Sequence, residues 1–226
     1  DSILSRLKNP SIRAKVKAHS IDMITRRGLK HFDYAYVANF KADTNFNGKN
    51  IRAINLLRSG KDNALAQAET IVQMMELGGA QMVYHGMGDK DVKNIMAYPF
   101  NMAASDAGIA VMGAGKPHPR AYGTNSRVLG KYVREEKVIS LEEAIRRMTS
   151  LPANKFNLVE RGLIKEGYIA DIVVFDENEV GDAATYDNPH QYAKGFKYVL
   201  VNGAITIENG VHIGTRKGMA IRNKNN

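Results

Sequence analysis

A chain of 226 residues can form one large domain or two to three small ones and can bury a real core. With 44% hydrophobic and 24% charged residues, no apolar run near the roughly 18 residues of a membrane span, and no cysteine, the composition excludes a spanning helix, a disulfide framework and a thiolate zinc site within the chain. The net charge of +9 lies wholly in residues 1–61, where 13 Lys and Arg face four acids, whereas residues 62–226 carry 19 of each.

That basic excess does not read as a nucleic-acid site. The cations are scattered singly at helical spacing, Arg26 and Arg27 are the only adjacent pair among them, and no RRM-like or zinc-finger pattern accompanies them. A solvated helix face, or a surface that meets acidic chain, is the preferred reading, with neither nucleic acid nor membrane expected as a partner. The chain opens on Asp1 with no apolar segment behind it and so reads as an excised piece without a signal peptide. The absence of cysteine leaves the compartment open, with the cytoplasm slightly favoured.

Asn9, Pro10 and Ser11 mark a helix start, and Ile12, Val16 and Met23 fall on one face before Gly28 ends the run. Residues 34–39 suit a short strand, 45–50 a turn, and 51–57 a short helix. Asp62 is placed to cap a longer helix whose Leu65, Ala68, Ile71, Val72 and Met75 share a face, with Gly78 and Gly79 closing it. The pattern then alternates: a strand at 81–85, a helix at 89–97, a strand of small residues at 101–105, a long loop at 106–125, and a helix at 126–137. Alternation of this kind predicts parallel strands joined by crossover helices, hence an α/β fold. Ser140 and Glu143 form a capping box for the next helix. Beyond Pro152 come short β-rich runs at 169–175, 198–201 and 204–208. Three regions follow: a mainly helical segment at 1–79, the alternating region at 80–157, and a small β domain at 158–226.

Asp106 directly follows a predicted strand, where α/β sheets and barrels place reactive groups, although capping of the next turn is an equal reading on spacing alone. The loop string KPHPRAYGT places prolines on both sides of His118, which biases that residue towards an extended, pre-shaped conformation. Arg120 offers the planar, permanently charged fork that suits a carboxylate, though it can equally pair with a structural acid. His85 ends the earlier strand and is a weaker candidate for a ligand or proton shuttle. The six histidines include no HxH, no HExxH and no close pair, so spacing completes no metal site.

Four stretches, ASDAG at 104–108, PHPRAYGTNSRVLGKYVR at 117–134, SLEEAIRRMTSLP at 140–152 and RGLIKEGYIADIVVF at 161–175, together resemble the C-terminal half of the N-acyl-D-amino-acid deacylases. These are D-aminoacylase-like members of the amidohydrolase superfamily. The resemblance is dense over 84–222 and weaker before that, where the basic helix and GKNI at 48–51 look like a segment inserted into the barrel. It implies the C-terminal part of a (β/α)8 TIM barrel with a small β-sandwich domain. It further implies one or two zinc ions in the full-length enzyme, and Asp106 as general base and metal ligand, accepting a proton from zinc-bound water and passing it to the departing amine. Arg120 would hold the substrate α-carboxylate, with His118 and Tyr122 lining the same pocket. The family's other metal ligands match nothing in this chain. The expectation is therefore a C-terminal fragment that binds zinc weakly or not at all, is inactive alone, and needs the N-terminal part of its barrel or a homo-oligomeric partner. Two other readings stay open: a cyclic amidohydrolase of hydantoinase or dihydroorotase type, and a non-catalytic basic binding module using residues 1–61.

Overall fold

A computed structural model describes residues 2–222, which divide into two compact units. One comprises residues up to Gly86 with Ala110–His118, and the other Met87–Ile109 with residues from Pro119 onward.

In the first unit, α1 (Ser2–Leu7) precedes α2 (Pro10–Arg26). Asn9 caps α2 by accepting from the Ser11 and Ile12 amides, and Pro10 costs nothing at a position whose N–H has no helical acceptor. Then follow β1 (Ala35–Asn39), a 3-10 turn at Thr44–Phe46, α3 (Ile51–Ser59), α4 (Ala64–Glu76) and β2 (Gln81–Tyr84). The cap of α4 is Asn63, which accepts from the Ala66 amide; Asp62, expected in that role, is drawn away by its ion pair with Arg52. Ile24, Phe32, Val37, Phe40, Ile54 and Ala68 make the core, and burying side chains of this size contributes about 1.5–3 kcal/mol for each large one. Part of the basic charge is answered inside the unit: Arg13 pairs with Glu69 and Glu76 of α4, and Lys17 with Glu69 at 2.8 Å.

β1 and β2 pair antiparallel, with Ala35 opposite Tyr84. The expected parallel strands are absent among the described residues, whose ladders are all antiparallel. Residues 101–105 join no ladder at all, and a strand exists only through the partner that accepts its hydrogen bonds. Their small, apolar composition marks a segment suited to burial without supplying that partner.

The second unit contains α5 (Asp89–Ala97), α6 (Arg120–Arg127) running into a π-helix (Val128–Glu135), α7 (Leu141–Met148) and α8 (Ser150–Lys155). A four-stranded antiparallel meander follows: β3 (Ile172–Phe175), β4 (Phe196–Val201), β5 (Ala204–Glu208) and β6 (Val211–His212). Within this unit the described residues form a single sheet, where a sandwich needs two. Val128, Leu129, Ala144 and Val180 centre this unit's core. Ser140 caps α7 through the Glu143 amide, but Glu143 does not return the bond as a capping box would: its carboxylate goes to Arg146 and Arg147 instead.

Candidate active site

Asp106 sits in the second unit at a left-handed backbone position, φ 45°. Asp visits this region more easily than most residues because its short polar side chain can bond locally. The carboxylate is not turned into apolar packing: it is 84% exposed, and its Oδ2 accepts from Nη2 of Arg120 at 2.8 Å. The two leading candidates are therefore neighbours. Arg120 does pair with an acid, and that acid is the other candidate. The segment leading to Asp106 is anchored by Arg147, only 3% exposed, which donates to the Met96 carbonyl and to Asn101 Oδ1 and pairs with Glu143 at 2.6 Å. Burying a guanidinium is tolerable only when its donors are met, as they are here.

Arg120 and Tyr122 do not lie in a loop. Helix α6 begins at Arg120, six residues before the expected start, with Pro119 already in helical conformation (φ −52°, ψ −26°) as its cap. Gly123 lies inside the helix because a Cβ there would come within 2.6 Å of the Asp182 side chain. The Tyr122 hydroxyl is 2.9 Å from Nδ1 of His190, and the ring meets His190 and Tyr192 edge-on, at 5.7 and 6.0 Å between centroids. His118 is half-buried and belongs to the first unit, so the PHPR string passes from one unit to the other between His118 and Pro119. His85, at the end of β2 in the first unit, stacks on Tyr36 at 4.6 Å. His190 and Tyr192 were not singled out by the sequence; the one local signal is the Asn188-Pro189-His190 turn.

The described residues contain no group of three or more His, Asp or Glu side chains able to hold a metal ion. A hydrolytic zinc takes three protein ligands and a water, and Asp106 can supply one oxygen donor. These residues do not make a zinc site by themselves. No described helix is long and apolar enough to cross a membrane.

Residues 2–207 match the amidohydrolase family. The chain belongs to that family. Among curated relatives, it is 39% identical over 135 residues to an N-acyl-D-glutamate deacylase of Alcaligenes xylosoxydans xylosoxydans, an alignment covering 60% of this chain and 27% of that protein. Among solved structures, a D-aminoacylase with a binuclear metal centre superposes with a TM-score of 0.73 at 29% identity, covering 91% of this chain and 46% of the other. An N-acyl-D-glutamate deacylase from Bordetella bronchiseptica, complexed with zinc and a phosphonate mimic of the tetrahedral intermediate, superposes at 0.68 with 31% identity over 86% of this chain and 43% of that one. The family chain thus spans less than half the length of each, and its fold is that of part of a D-aminoacylase-like amidohydrolase, in line with a partial TIM barrel.

Proposed function

We propose that this amidohydrolase chain supplies the proton-transfer and carboxylate-recognition groups of an N-acyl-D-amino-acid deacylase, and that zinc, to which Asp106 would offer one oxygen donor, completes the site with its other ligands outside the chain. The observation that carries this reading is the 2.8 Å pairing of Asp106 with Arg120. In an N-acyl amino acid the amide nitrogen lies about 2.5 Å from the carboxylate carbon, since only Cα intervenes. A substrate carboxylate that takes the place of Asp106 on the Arg120 guanidinium therefore brings its amide beside the Asp106 carboxyl.

In this reading Asp106 accepts a proton from the attacking water as the water oxygen bonds to the acyl carbon. It then delivers that proton to the amide nitrogen as the C–N bond breaks, giving a carboxylic acid and a free D-amino acid. Arg120 holds the α-carboxylate through two parallel hydrogen bonds and so fixes one corner of the stereocentre. Tyr122, in the same unit as Asp106 and Arg120, is assigned to the pocket lining. Relatives acting on N-acyl-D-glutamate support the substrate class.

The test is a substrate panel for the chain joined to, or co-expressed with, the remainder of its enzyme. N-acetyl-D-amino acids should be hydrolysed in preference to their L-enantiomers, with loss on chelation. Turnover of hydantoins or dihydroorotate in their place would overturn the reading.

A further inference from the structure

We propose that His190 is a positioning residue for this pocket: it fixes the Tyr122 hydroxyl, and with it the turn of α6 that presents Arg120. This rests on the preceding assignment of Arg120 and Tyr122 to substrate. A phenol held only by apolar contacts can turn about its Cα–Cβ bond. Tyr122 is constrained three ways, by the 2.9 Å bond to His190 and by the edges of the His190 and Tyr192 rings. Aromatic edges of this kind favour a defined angle between rings over free sliding.

The support behind His190 is itself well built. Residues 180–194 form a strap against α6 and the π-helix. Gln191 Nε2 donates to the Ala183 carbonyl at 2.8 Å and to that of Asn188 at 3.1 Å, and the Asn188 amide donates to Thr185 Oγ1 at 2.9 Å. Pro189, next to His190, is fully buried. The strap is tied to α6 by Arg127, which pairs with Asp182 at 2.8 Å, and to the π-helix by Arg134, which donates to the Val180 and Glu177 carbonyls. Gly130 lets the π-helix approach the strap backbone, because a Cβ there would lie 2.8 Å from the Val180 oxygen. With its flanks anchored in this way, His190 can hold Tyr122 to a position rather than follow it, which is how a supporting residue sharpens the geometry of a group that meets substrate.

Two readouts test this. In the 226-residue chain labelled with 13C at tyrosine Cζ, the Tyr122 resonance is identified by its loss in Tyr122→Phe. It should move on His190→Ala and return most of the way in His190→Asn, whose amide can again bond the hydroxyl. In the complete enzyme His190→Ala should raise KM for an N-acetyl-D-amino acid about tenfold while kcat stays within about twofold, with His190→Asn in between. A Tyr122 resonance indifferent to His190→Ala overturns the proposal. So does a loss of kcat with unchanged KM, or equal damage by Ala and Asn, which would mark a purely structural role. If the wild-type enzyme turns over no acylated D-amino acid, the deacylase reading fails, and the resonance still decides separately whether His190 holds Tyr122.

Discussion

Asp106 Oδ2 and Arg120 Nη2 stand 2.8 Å apart at the start of α6, so in this structure the general base and the carboxylate clamp of the proposed reaction neutralise each other. The pair is exposed, at 84% and 43%, and such pairs are worth at most about 1 kcal/mol. A substrate carboxylate, which can bind the guanidinium with two parallel hydrogen bonds, replaces Asp106 at little cost.

Arg120→Ala should therefore spare folding and weaken use of free-carboxylate substrates by roughly 10- to 100-fold in kcat/KM, the usual worth of a hydrogen bond to a charged group. Substrates whose carboxylate is esterified should lose far less. Arg120→Lys keeps the charge but not the fork and should fall between. Steady-state kinetics on matched acid and ester substrates checks this.

Gly195 is in the left-handed region, φ 84°, and a Cβ there would collide with the backbone of Val180 and Glu179. Gly195→Ala should destabilise the second unit by about 2–4 kcal/mol, combining the left-handed penalty with overpacking. Hydrogen exchange should show the loss across residues 119–222 and leave 10–80 at wild-type protection.

Between α2 and α4, Arg13 holds the Glu69 carboxyl down to about 2 from its ordinary 4.5, with partial burial opposing the shift and Lys17 adding to it. A carboxyl whose pKa is lowered by folding stabilises the protein above its unfolded value, and that contribution is lost as pH falls through the folded one. The first unit should thus keep its full Glu69 contribution, about 1 kcal/mol for a pair this close to solvent, above pH 4.5 and lose it progressively towards pH 2. Glu69→Gln should lower stability at pH 7 and flatten that dependence, as read by urea midpoints across the range.

Local chemistry made much of the fold legible. Asn9 with Pro10 caps α2, residues 89–97 form α5, and residues 204–208 form β5, all as their side chains predict. The start of α6 was hidden because Pro119 and Gly123 resemble loop punctuation. Pro119 is already helical, and Gly123 is demanded by the approach of Asp182, a tertiary contact that outweighs its poor helix propensity. Residues 101–105 form no strand: periodicity reports a segment's apolar surface and not whether a neighbour pairs with it. Asp106 and Arg120 could be named as candidates from their place in the sequence and the family resemblance, but their direct pairing could not, since it depends on how the chain turns between them. His190 lies 68 residues from Tyr122 and shares no pattern with it.

Whether Asp106 moves the proton in amide hydrolysis is decided by the release of free D-amino acid from the complete metal-loaded enzyme carrying Asp106→Asn. The side chain is exposed, so the variant should fold and melt as the wild type does, with kcat reduced by about 10²- to 10⁴-fold. Turnover within a few-fold of wild type by Asp106→Asn would show that another group carries the proton.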